Sequence, residues 1–115
     1  MKKRFYIAGP MTGYKNYNAG AFLAAEKYLR KIGHEAVNPA AMAELHTAAG
    51  RPLIGETLRR LMADELSELC RCDGVLLLDG WEKSAGARRE LEVALAIGLE
   101  VIVSNEGNLY GVKLR

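Results

Sequence analysis

Two glycine-bearing segments hold the residues whose types and spacing could do chemistry. One is Ser84-Ala85-Gly86-Ala87-Arg88-Arg89-Glu90. A serine at a helix start accepts a hydrogen bond from a free backbone N–H, and the positive end of the helix dipole lies behind it. The N–H groups of Gly86 and Ala87 can then meet an anionic or carbonyl oxygen. Glu90 follows Gly86 by four residues, so one helix face can aim it at that loop. A carboxylate in this position is expected to be ionised, which suits a nucleophile; the plainer alternative is a surface glutamate paired with Arg88 or Arg89. The other segment is Gly9-Pro10-Met11-Thr12-Gly13, where glycines let a backbone approach a ligand closely. It lacks both a Gly-Lys-Ser/Thr ending and a GxGxxG spacing, so the usual phosphate-loop readings fail.

Other side chains are candidates by type. Asp64 and Glu65 are adjacent acids late on a helical stretch, where most acids face solvent. Trp81 follows Gly80 and can stack on a base or cap the core. Tyr6 reads as half-buried packing in a strand. Cys70 and Cys72 are two apart, neither a CxxC pair nor half of a four-ligand zinc site, and His34 and His46 have no ligand spacing to them. No metal and no cofactor are expected, and the thiols read as reduced, as inside a cell.

Elements of an alternating α/β chain must position these groups. The 115 residues are half hydrophobic, enough for one domain spanning 1–115 without staples. Sixteen basic and fourteen acidic side chains leave a net charge of +2, and no run of like charge exceeds Lys2-Lys3-Arg4. Neither a nucleic-acid footprint nor a membrane surface is indicated. Gly9-Pro10 interrupts the apolar Phe5–Ala8 run too early for a secretory signal, and no stretch approaches the roughly 20 apolar residues of a membrane span. A cytoplasmic protein is expected.

Residues 3–8 form a β-branched and aromatic run that ends at Gly-Pro, hence a strand. Asn18 is a good N-cap for a helix carrying Phe22, Ala25, Leu29 and Ile32 at helical spacing, with Gly33 as its stop. Residues 35–37 form a short strand closed by Asn38-Pro39, and 40–54 read as a short helix plus a loop. From Glu56, the positions Leu58, Leu61, Met62, Glu65 or Leu66, and Leu69 define an amphipathic helix ended by Asp73-Gly74. The continuous apolar run 75–78 is what a strand buried on both faces shows. A loop over 80–86, a helix over 87–97, a strand over 101–103 and a polar tail with loop or a short edge strand complete the chain. Such alternation predicts a parallel sheet with helices on both faces and a ligand at the strands' carboxyl ends. That end holds the turns at Gly9-Pro10-Met11, Asn38-Pro39 and residues 79–86.

Taken together, the residues 6–13, Asn38-Pro39-Ala40, Cys72-Asp73-Gly74, 80–84 and 86–90 carry a resemblance. The chain resembles, over nearly its whole length, an uncharacterised family of small phage and bacterial proteins. These in turn are similar to nucleoside 2-deoxyribosyltransferases and 2′-deoxynucleoside 5′-phosphate N-hydrolases. The resemblance implies a flavodoxin-like (Rossmann-like) three-layer α/β/α sandwich, with a parallel sheet of four to five strands. It also implies cleavage of the bond between nucleobase and deoxyribose, with hydrolysis or base exchange as the outcome.

In that reading Glu90, six residues after Ser84, is the nucleophile, and Tyr6 keeps its spacing to Gly9. A further acid is expected eight residues before Asp73; the count reaches Glu65, with Asp64 one residue beyond, so either is a candidate to protonate or orient the base. Ser84, Gly86, Ala87 and the Gly9-Pro10-Met11 turn would hold the sugar or 5′-phosphate. Two positions depart from the pattern. Pro10 stands where the hydrolases have a phosphate-binding serine, and Arg88 where they have a second glycine. Arg88 would either close the sugar space or clamp the phosphate. The implied partner is a nucleoside or nucleotide, and by resemblance a second copy of the chain. The alternatives are a non-catalytic nucleotide-binding module of phage or prophage origin, or an interaction protein whose pocket Trp81 and Arg88 fill.

Overall fold

The apolar runs of the chain become adjacent strands of one sheet in a computed structural model, which describes residues 1–47, 54–105 and 108–110. In chain order the elements are β1 (Arg4–Ala8), α1 (Ala19–Lys31), β2 (Glu35–Val37), α2 (Pro39–Thr47), α3 (Gly55–Cys70), β3 (Gly74–Leu77), α4 (Ala85–Ala96), β4 (Glu100–Asn105) and β5 (Asn108–Tyr110). Spatially the strands run β2-β1-β3-β4-β5. The first four are mutually parallel, and β5 pairs antiparallel with β4 at the edge. Of the two alternatives for the tail, a loop or a short edge strand, residues Asn108–Tyr110 take the strand.

Period-two alternation in β1 and β3 divides the core between the two faces. Phe5 and Ile7, with Leu76 and Leu78, pack against Phe22, Ala25 and Leu29 of α1. Tyr6 and Ala8, with Val75 and Leu77, point the other way, onto Leu69 of α3 and Ala87 and Ala94 of α4. Helices thus cover both faces, the three-layer flavodoxin-like arrangement that the alternation predicts. All four residues of β3 are buried, as an uninterrupted apolar strand requires.

Element boundaries shift modestly. The loop expected over 80–86 contains one 3-10 turn, Trp81–Lys83, and α4 begins two residues early, at Ala85. The short helix foreseen in 40–54 is α2; residues 48–53, the loop foreseen with it, lie outside the described residues. Asn18 does precede α1, but with φ 64° and no side-chain cap, so the capping role expected of it is not what it performs. Its amide donates instead to the Pro10 carbonyl at 3.0 Å.

β1 continues toward β2 on one side of the sheet while β3 continues toward β4 on the other. The order reverses between β1 and β3, and a crevice opens at their carboxyl ends.

Candidate active site

Strand alternation aims the fully buried Tyr6 at the face carrying α3 and α4. On α4, Ser84 is the N-cap: its Oγ accepts the Ala87 N–H at 3.1 Å, while its own O–H remains available to donate. A helical turn and a half beyond, Glu90 reaches the same place. Tyr6 Oη donates to Glu90 Oε2 at 2.5 Å, a contact between residues 84 apart in sequence. A bond this short is characteristic of a hydroxyl meeting a carboxylate.

Burial is the main influence on both groups. It pushes the Tyr6 phenol far above its ordinary range, reinforced by the charges of Glu90 and Glu65, so Tyr6 stays a proton donor. Burial likewise raises Glu90 from 4.5 to about 8; the Tyr6 hydrogen bond and Arg89 pull it back, and the charge of Glu65 pushes it further up. The expectation of an ionised Glu90 is thereby corrected. Helix-dipole stabilisation fades within the first turn, and Glu90 lies past it, so desolvation wins.

Glu90, hydrogen-bonded to Tyr6, lines a cavity of about 840 Å³ formed by the β1 turn, the start of α4 and residues of α3. That volume is within the range of small-molecule sites. Two glycines draw its walls together. A Cβ on Gly9 would sit 2.8 Å from Leu78 Cβ, so the turn rests directly on β3's end. Gly80, at φ +86°, would place a Cβ 2.8 Å from Tyr14 Oη and 3.3 Å from Pro10 Cγ. The close approach expected of Gly9 toward a ligand is thus, in the first place, an approach of loop to strand.

Of the residues singled out by sequence, Gly9, Pro10, Met11, Glu65, Ser84, Gly86, Ala87 and Glu90 line the cavity, and Tyr6 joins them through Glu90. Four do not. Asp64 is exposed on α3 and off the cavity wall, whereas Glu65 is on it. The apolar stripe Leu61, Met62, Leu66 and Leu69 already contained this answer, since position 65 falls within it and 64 does not. Asn38 accepts the Ala40 N–H at 3.0 Å and donates to Glu26 at 3.1 Å, which starts α2 and ties it to α1. Trp81 is partly buried against the core cluster containing Tyr6 and Leu77, the core-capping alternative, and is not among the residues lining the cavity. Arg88 is exposed, and neither it nor Trp81 is among the residues lining the cavity.

Sequence reasoning missed Arg89, Lys83, Tyr14 and Tyr17, which also face the cavity. Arg89 shares a stripe with Ala85, Glu92 and Ala96, three or four residues apart, and the phase of Ala87 and Ala94 in the core would have identified it. The tyrosines sit in a polar loop whose shape no periodicity announces.

Among the described residues no group of three or more His, Cys, Asp or Glu side chains is arranged to hold a metal. Cys70 is exposed and Cys72 buried, neither bonded to the other. Burial pushes the Cys72 thiol up to about 12, leaving it unreactive. No helix among the described residues is long and apolar enough to cross a membrane.

The fold and the site define a flavodoxin-like α/β protein with a cavity at the β1/β3 switch, lined by a partly buried Glu90 that the buried Tyr6 hydrogen-bonds. Residues 3–103 match the family described as a domain of unknown function (DUF4406), and the chain belongs to it. No curated protein matches the sequence. The matched span includes the whole cavity wall.

Proposed function

We propose that the protein cleaves the N-glycosidic bond of a 2′-deoxynucleoside or its 5′-monophosphate, with Glu90 as the nucleophile. The observation that carries this reading is the Tyr6–Glu90 contact at 2.5 Å, inside a cavity at the sheet's switch point. The resemblance at the level of the sequence places the same residues in the same roles.

In this mechanism Glu90, once ionised, attacks the anomeric carbon. The bond to the base nitrogen breaks, its electron pair leaves with the base, and Glu65 supplies the proton. A deoxyribosyl ester on Glu90 results. Water then attacks the same carbon, releasing Glu90 and returning a proton to Glu65, as in retaining glycosidases; a second base in place of water gives transfer. Tyr6 holds the attacking oxygen by its O–H. The Ser84 hydroxyl and the Gly86 N–H at the start of α4 bind a sugar or phosphate oxygen, the Ala87 N–H being taken by Ser84 Oγ. A cytoplasmic location and a homo-oligomer belong to the same proposal, the second resting on the resemblance.

The test is release of free base from a panel of deoxynucleosides and their monophosphates. Wild-type protein should release base and E90A should not; base release by E90A at the wild-type rate refutes the mechanism. One observation favours a second reading, a nucleotide-binding module without chemistry: Glu90, at about 8, is mostly protonated at neutral pH. Thermal stabilisation by nucleotides with no base released between pH 6 and 9 would select that reading.

A further inference from the structure

The loop between β1 and α1 holds three consecutive non-glycine residues in the left-handed region: Asn16 at φ 50°, Tyr17 at 52° and Asn18 at 64°. Asparagine tolerates this conformation because its short side chain bonds locally, whereas an aromatic residue does so rarely and at a cost. The segment is nevertheless held there. Tyr14 N–H donates to the Met11 carbonyl at 3.1 Å and Tyr17 N–H to the Tyr14 carbonyl at 3.0 Å. Asn18 is clipped to Pro10, and the Tyr14 hydroxyl lies over Gly80.

The Tyr17 side chain gains little in return from the fold. It is 60% exposed, yet it lines the cavity. A strained backbone and an exposed ring are two unfavourable features at one residue, and both are explained if a ligand covers the ring. Strained non-glycine residues cluster at ligand clamps for this reason.

We infer that Tyr17 is a stacking platform for a planar heteroaromatic ring, the nucleobase of the substrate, and sets its affinity. The inference rests on the proposed reading of the site and assigns the base subsite within it. It also gives Tyr17 the stacking role that Trp81, packed on the core, does not take. The apolar lining of the same cavity suits such a ring: Met11 and Met62 are soft and adaptable, and Leu61 and Leu66 carry no polar groups. Stacking on an aromatic face is tolerant of base identity, so selection among bases lies with other residues.

The probes are adenine, guanine, cytosine and thymine, titrated calorimetrically into the full chain while the base's ultraviolet absorbance is followed. At least one base should bind with the hypochromism that stacking produces. Y17F should bind within about twofold of wild type. Y17N keeps a residue type that accepts the left-handed backbone but removes the ring. It should weaken binding about 5- to 100-fold, with an unfolding temperature equal to or above that of wild type. If base is released from deoxynucleosides, Y17N should raise KM and leave kcat within about threefold.

Equal base affinity in Y17N and wild type overturns the platform, as does binding without hypochromism or a change in oligomeric state with no change in affinity. Loss of turnover in E90A together with an unchanged KM in Y17N defeats the platform and leaves the proposed chemistry standing. Hypochromic base binding with no turnover of any deoxynucleoside does the reverse. No binding of any of the four bases defeats the platform whatever the turnover.

Discussion

Glu90→Gln should stabilise the protein, and by an amount that depends on pH. A carboxyl raised from 4.5 to about 8 on folding binds a proton that the unfolded chain has released across that window. Stability therefore falls as pH rises from about 4.5 to about 8, and is level beyond it, because the folded state holds more protons between those limits. At about 1.4 kcal/mol per unit, the full penalty is about 5 kcal/mol, of which about 3 kcal/mol has accumulated by pH 7. Glutamine mimics the neutral acid: its carbonyl can still accept from Tyr6, and it never ionises. Relative to wild type, E90Q should be equal in stability near pH 4.5, more stable by about 3 kcal/mol at pH 7, and by about 5 kcal/mol above pH 8.5. For a chain of this length 1 kcal/mol shifts the unfolding temperature by about 4 °C, so the difference at pH 7 is about 12 °C. Urea and thermal unfolding followed by circular dichroism at half-unit steps from pH 4.5 to 9 would read it, with other titrating groups cancelling in the difference. A difference that is flat with pH, or a variant less stable throughout, refutes the account of Glu90 as a desolvated acid.

Three further outcomes follow from the same geometry. Tyr6→Phe removes the hydrogen bond that lowers Glu90, so the rise of kcat/KM with pH, centred near 8 in wild type, should move to higher pH; a profile that stays put or moves down contradicts the contact. Gly9→Ala drives a Cβ against Leu78 at 2.8 Å and should cost about 1–3 kcal/mol in denaturant unfolding, whereas an unchanged midpoint would mean that the turn does not rest on β3. Asn38→Ala should cost about 1 kcal/mol through its two lost bonds while kcat/KM for base release stays within about twofold, and a large kinetic loss would return Asn38 to the site.

Much of the frame was legible because single physical rules governed it. The run Val75–Leu78 could only be a strand covered on both faces. Ser84 before a helical stripe with Ala87 and Ala94 could only be a cap. The readings that failed were those where two rules competed within one residue of each other. Adjacent helix positions differ by about 100°, so whether Asp64 or Glu65 lines the cavity, and the fact that Arg89 does while Arg88 does not, depend on the phase of each helix's core stripe. For Asn18, cap propensity met a backbone clip to Pro10, and the clip prevailed. Trp81 and Asn38 lay at the sheet's ligand end as the topology requires, yet packing and capping claimed their side chains. The loop that carries Tyr14 and Tyr17 was illegible because its left-handed conformation is held by contacts to Pro10, Met11 and Gly80, none of which leaves a periodic trace.

The raised pKa of Glu90 has a bearing on how such a site would accelerate glycosidic cleavage. An enzyme gains rate only from interactions stronger in the transition state than in the ground state. A negative charge on Glu90 is disfavoured chiefly by burial, and Tyr6 and Arg89 offset this only in part. As the base departs, the sugar acquires oxocarbenium character, and positive charge develops at the anomeric carbon. That charge attracts the carboxylate and opposes the desolvation, in surroundings where water screens it little. The carboxylate is thus least stable before reaction and most stabilised as the glycosidic bond breaks. Tyr6 acts the other way: its O–H donates most strongly to the ionised oxygen and holds it for attack, and that bond weakens as the ester forms. The gain in rate from this pair therefore comes from a buried charge that is relieved as the glycosidic bond breaks, with Tyr6 fixing the position of the attacking oxygen.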